Sequence, residues 1–96
     1  MVFRKNAVER LKKIHMLSQS VNRGNHRKKL LELVKKHVHE IEQLYKISSP
    51  HADIETGDLA ILCFELILES KKNPDEIIQQ CFERYEKKLR SIKNGL

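Results

Sequence analysis

The sequence predicts an all-α fold, a four-helix up-and-down bundle of one domain spanning 1–96 and completed by dimerisation. Three observations predict it. Apolar residues recur every three or four positions through four stretches, and no stretch alternates with period two. Turn and cap residues separate these stretches by only a few positions, which places consecutive helices side by side and antiparallel. The third stretch is apolar on most sides, more than three short amphipathic partners can cover in a 96-residue chain, so a second copy is expected to bury the rest.

The first helix is predicted over about 3–21. Phe3, Ala7, Leu11, Ile14, Leu17 and Val21 form its apolar stripe, with Arg4, Lys5, Lys12 and Lys13 on the other face. Asn22-Arg23-Gly24-Asn25 is turn chemistry: Gly24 is free to take positive φ and Asn25 suits the cap of the next helix. That second helix covers about 26–46, with Leu30, Leu33, Val34, Val38, Ile41, Leu44 and Tyr45 inward. Ser49-Pro50 starts a third helix, about 50–71, with Asp53 near its positive dipole end. Asn73-Pro74-Asp75-Glu76 is the strongest local signal. Asn73 caps, Pro74 opens the first turn, and Glu76 is spaced to bond back to the cap. The fourth helix covers about 74–92, with Ile77, Ile78, Cys81, Phe82, Tyr85, Leu89 and Ile92 inward.

Charge is divided along the chain. Residues 1–36 hold eleven Lys/Arg against two acids, residues 37–70 one against seven, and residues 71–96 seven against four. An acidic centre between basic ends suits a site for a cation and a phosphate. The basic first third also allows nucleic-acid binding, but Phe3 is its only aromatic. Cys63 and Cys81 are expected to be buried free thiols in a reducing cytoplasm. No apolar run is long enough to span a bilayer and Met1–Asn6 has no hydrophobic signal core, so no membrane association is expected.

Glu55, Asp58, Glu65 and Glu69 are three, seven and four residues apart, an acidic line along the third helix. Glu55 and Asp58 are spaced to share one divalent cation, and the second helix offers Glu40 and His37 as further ligands. His15, His26 and His51 are scattered and are expected at the surface. There is no Gly-rich phosphate loop and no cysteine pair at metal spacing.

Glu55-Thr56-Gly57-Asp58-Leu59, the apolar helix after it, Asn73-Pro74-Asp75-Glu76 and Arg84-Tyr85-Glu86-Lys87-Lys88-Leu89 together resemble the MazG-type all-α nucleotide pyrophosphohydrolases. The resemblance covers roughly residues 30–90. It is good in the second half and poor in the first, where the family has a Glu-Glu-x-x-Glu motif. Here that motif falls on Lys36–Glu40 or on His39–Gln43; each register keeps one acid, and both keep Glu40. In the first register His37 stands in place of a carboxylate, and imidazole suits Mn²⁺ or softer ions better than Mg²⁺. The resemblance implies hydrolysis of a nucleoside triphosphate to monophosphate and pyrophosphate. It assigns Glu40, Glu55 and Asp58 to catalysis and, with His37, to Mg²⁺ or Mn²⁺. Arg84, Lys87 and Lys88 fall on the nucleotide side, and the assembly implied is a dimer or tetramer. Loss of upstream acids makes an inactive helical homodimer, regulatory or nucleic-acid-binding, the alternative.

Overall fold

The computed structural model describes residues 3–22 and 24–95; Arg23, within the expected turn, lies outside them. Four helices follow in order: α1 Lys5–Val21, α2 His26–Lys46, α3 His51–Glu69 and α4 Pro74–Asn94. The described residues contain no strand.

The helix boundaries follow local chemistry. Gly24 takes φ 87°, and the Asn25 side chain accepts the Lys28 N–H to cap α2. Two helices end without glycine. Ser48 and Lys71 adopt left-handed φ of 53° and 58°. The next residues, Ser49 and Lys72, bond back to the carbonyls of Leu44 and Ile67 and so satisfy the last turns of α2 and α3. α3 therefore stops at Glu69, short of the expected 71. It starts at His51 rather than at Pro50, with Ser49 Oγ accepting the His51 N–H at 3.2 Å. Asn73 caps α4 as expected by accepting the Asp75 N–H at 2.9 Å. Glu76 is exposed. The carboxylate that works at this end is Asp75, which accepts the Phe3 N–H at 2.7 Å and the Gln79 amide at 3.3 Å.

α2 and α3 form an antiparallel hairpin with the largest helix–helix interface. α1 lies against the C-terminal half of α3, where the Phe3 and Phe64 rings meet edge to face at 5.1 Å. The apolar core is small: Val8, Leu11, Leu30, Ala52 and Leu62.

α4 departs from the expected bundle. Only Pro74 and Asp75 at its start are buried, and every residue from 79 to 95 is exposed. Its apolar stripe is the reason: Phe82, Tyr85, Leu89 and Ile92 have no helix of the same chain over them and are half or more exposed. The radius of gyration, 15.7 Å, exceeds the roughly 13 Å of a compact chain of this size. Two further expectations are corrected. Cys63 and Cys81 are free but exposed, because they face away from the small core. Val38 and Tyr45, expected inward on α2, are 41% and 57% exposed, beyond the reach of the small core, while Glu65 of the acidic line is buried between helices.

Candidate functional site

The α2–α3 interface brings together three of the four residues expected at a metal. His37 projects from the middle of α2, and Glu55 and Asp58 project from the first turns of α3. One ligand atom from each lies within 4.8 Å of the others. The hairpin causes this: α2 and α3 run antiparallel across a short turn, so the second half of α2 faces the first half of α3. Glu55 and Asp58, three residues apart, share the side of α3 that meets it.

The orientation of His37 is set by its own helix. Its Nδ1 is 3.0 Å from the Leu33 carbonyl, which can only accept, so Nδ1 carries the hydrogen. Its Nε2 faces Glu55 Oε2, 3.4 Å away, and with no hydrogen on Nε2 both atoms are acceptors. Two acceptors facing each other are brought into balance by a positive species between them, a proton or a metal ion. Both side chains are largely buried, which strengthens that demand. The second Glu55 oxygen meets His51 Nε2 at 3.2 Å from one turn earlier, a contact of the kind that orients a ligating carboxylate.

Glu40 is near this group but not in it. It lines an adjoining depression with Gln43, Leu44, His51 and Glu55. Asp58 is exposed and borders a separate hollow with His37, Ile61 and Leu62. Glu40 thus shares a hollow with Glu55, and Asp58 a different one with His37.

Arg84, Lys87 and Lys88 sit on the exposed length of α4. Arg84 and Lys88 line a groove with Ile78, Cys81, Phe82 and Tyr85 that contains no carboxylate. Among the described residues, then, the groove lined by Arg84 and Lys88 is distinct from the hollows lined by His37, Glu55 and Asp58.

His51 is exposed as expected, and its spacing of four from Glu55 was a readable sign of their contact. The expectation for His15 and His26 is overturned. Both are buried, 7% and 8% exposed, where α1, the start of α2 and the end of α3 meet. No spacing signals this, because the partners come from three helices.

The chain matches no family model, and no curated protein or solved structure matches it.

Proposed function

We propose that this protein is a MazG-like, metal-dependent nucleoside triphosphate pyrophosphohydrolase that works as a homodimer, hydrolysing an NTP or dNTP to the monophosphate and pyrophosphate. The observation that carries this reading is the convergence of His37, Glu55 and Asp58 from two adjacent helices, on the segment that carries the Glu-x-x-Asp resemblance. An ion held there supplies charge neutralisation on phosphate oxygens and polarisation of water. The nitrogen donor of His37 favours Mn²⁺ over Mg²⁺ at this site. Glu55 is held in place by His51, and Asp58, exposed, faces arriving substrate. Glu40, in the depression beside Glu55, is the chain's own acceptor for a proton from water.

The exposed stripe of α4 supports the homodimer. Phe82 and Tyr85 are 53% and 63% exposed, and Leu89 and Ile92 continue the same face. A second copy of this chain carries the same stripe, so two α4 helices can cover each other. Arg84, Lys87 and Lys88 lie on the same exposed helix, and the MazG resemblance assigns them to offsetting the triphosphate charge. The exposed, unpaired thiols of Cys63 and Cys81 fit a reducing compartment such as the cytoplasm. Among the described residues no helix is long and apolar enough to cross a membrane.

The test is a pyrophosphate-release screen across nucleotides with Mg²⁺ and Mn²⁺. Release from one nucleotide class that needs metal and vanishes in Glu55→Ala supports the proposal; a flat response with every nucleotide and both metals sinks it. A second reading, an inactive homodimer that binds nucleic acid through its basic first third, draws on the exposed Arg4, Lys5, Arg10, Lys12, Lys28 and Lys29. It predicts nucleic-acid affinity that falls steeply with salt and ignores Glu55→Ala.

A further inference from the structure

We infer that His15, His26 and Glu69 form a second metal site, for one first-row transition-metal ion of the zinc class, which clamps α1 to the α2–α3 hairpin. One ligand atom from each lies within 4.8 Å of the others. His15 Nε2 and His26 Nε2 both approach the same carboxylate oxygen, Glu69 Oε2, at 3.1 and 4.0 Å. Donor atoms each about 2.0–2.1 Å from a tetrahedral zinc stand roughly 3.4 Å apart, which these two separations bracket.

The two nitrogens are buried, and among the described residues neither has a hydrogen-bond partner. The contact from His15 to Glu69 is short but out of line, so it is close without being a hydrogen bond. Orphaned buried nitrogens are costly, and two on one oxygen need a common explanation. A cation bound to all three atoms supplies it.

The surroundings are those of ligands already oriented. His15 Nδ1 is 3.3 Å from Glu65 Oε1, and Glu65 is only 4% exposed. An Nδ1–H given to a carboxylate leaves Nε2 as the ligating lone pair, the carboxylate–histidine–metal arrangement. His26 Nδ1 meets the Asn22 side-chain amide at 3.4 Å, whose oxygen and nitrogen are interchangeable by rotation. Glu69 also accepts from the Gln19 amide at 3.3 Å. Among the described residues, Glu65 and Glu69 form ion pairs only with these histidines and with no Lys or Arg. A divalent ion would balance the two carboxylates. Two imidazoles and one carboxylate select zinc and its neighbours over Mg²⁺ or Ca²⁺. Three protein donors leave one position, on the partly exposed Glu69 side, for water.

The site joins three helices that share a small core, and metal affinity adds directly to the stability of such a chain. The experiment is zinc titration by calorimetry and thermal melting of chelator-stripped full-length Glu55→Ala/Asp58→Ala protein, in which the α2–α3 group is removed. The expected result is one zinc per chain, a higher Tm, and no competition from Mg²⁺. Glu69→Gln and His26→Gln should abolish binding, and Glu65→Gln should weaken it about 10- to 100-fold. Should a histidine variant fail to fold, Co²⁺ loading of the double variant gives an independent measure through visible absorption and shifted imidazole resonances of two histidines. No saturable zinc binding and no imidazole shift, or zinc binding that survives Glu69→Gln in folded protein, overturns the inference.

Discussion

Glu65 accepts a hydrogen bond from His15 Nδ1 at 3.3 Å, joining two side chains fifty residues apart that are both almost fully withdrawn from water. It is the one buried side-chain hydrogen bond among the described residues that ties α1 to α3. Glu65→Ala leaves the His15 nitrogen orphaned and should cost about 1–3 kcal/mol. Urea unfolding of metal-free protein measures this; an unchanged midpoint would mean that α1 is held by apolar contact alone.

Catalysis, if the proposed function holds, separates from folding at the α2–α3 site. Asp58 is exposed, and among the described residues Glu55 is bonded only through histidines. Glu55→Ala and Asp58→Ala should each abolish metal-dependent pyrophosphate release while far-UV circular dichroism stays at the wild-type value. His37→Asp exchanges a nitrogen donor for an oxygen and should shift preference from Mn²⁺ toward Mg²⁺. The ratio of the rates with the two metals reads this directly.

Leu30 and Leu89 differ in what covers them. Leu30 is 0% exposed, so Leu30→Ala should destabilise the folded chain by about 2–5 kcal/mol. Leu89 is half exposed, and its loss matters only if a second copy buries it. Sedimentation should show a dimer for the wild type and a folded monomer for Phe82→Asp/Leu89→Asp protein. A wild-type chain that stays monomeric at high concentration removes the homodimer.

Gly57 sits inside α3 with nothing within 4 Å of the place its Cβ would occupy. Gly57→Ala should therefore raise stability by about 0.8–1.0 kcal/mol through helix propensity alone, visible as a higher Tm. A lower Tm would mean that close approach at this position, not propensity, governs the choice of glycine.

The start of α4 is held by short polar contacts. Asn73→Ala removes the cap and should cost about 0.5–2 kcal/mol. Asp75→Ala also releases the Phe3 N–H. Hydrogen exchange at Phe3 should therefore accelerate in the second variant and not in the first.

Local signals carried the helices. Asn25, Gly24, Asn73 and Pro74 act within one turn of their own backbone, so the chain could be divided correctly before any packing was known. Ser48 and Lys71 gave no such sign, since neither residue type favours the left-handed region that each adopts where the carbonyls behind it find partners. The spacing of Glu55 and Asp58 placed them on one side of α3, and the antiparallel turn made His37 a plausible neighbour. Glu40 was assigned by motif and lies one depression away, because three positions past His37 put it about 60° around α2 and about 4.5 Å along it.

By itself the sequence determined that this chain is four helices with those starts, an acidic middle and apolar stripes, because propensity, capping and periodicity are properties of neighbours along the backbone. Only the tertiary structure decided how far each stripe found cover: Leu30 of α2 and Leu62 of α3 did, while Leu17 and Val21 of α1, Val38 and Tyr45 of α2 and most of α4 stayed exposed. It also decided that His15, His26 and Glu65 leave the surface and that the two histidines meet the partly exposed Glu69. Their proximity depends on the angle and register of three packed helices, and no interval in the chain encodes that.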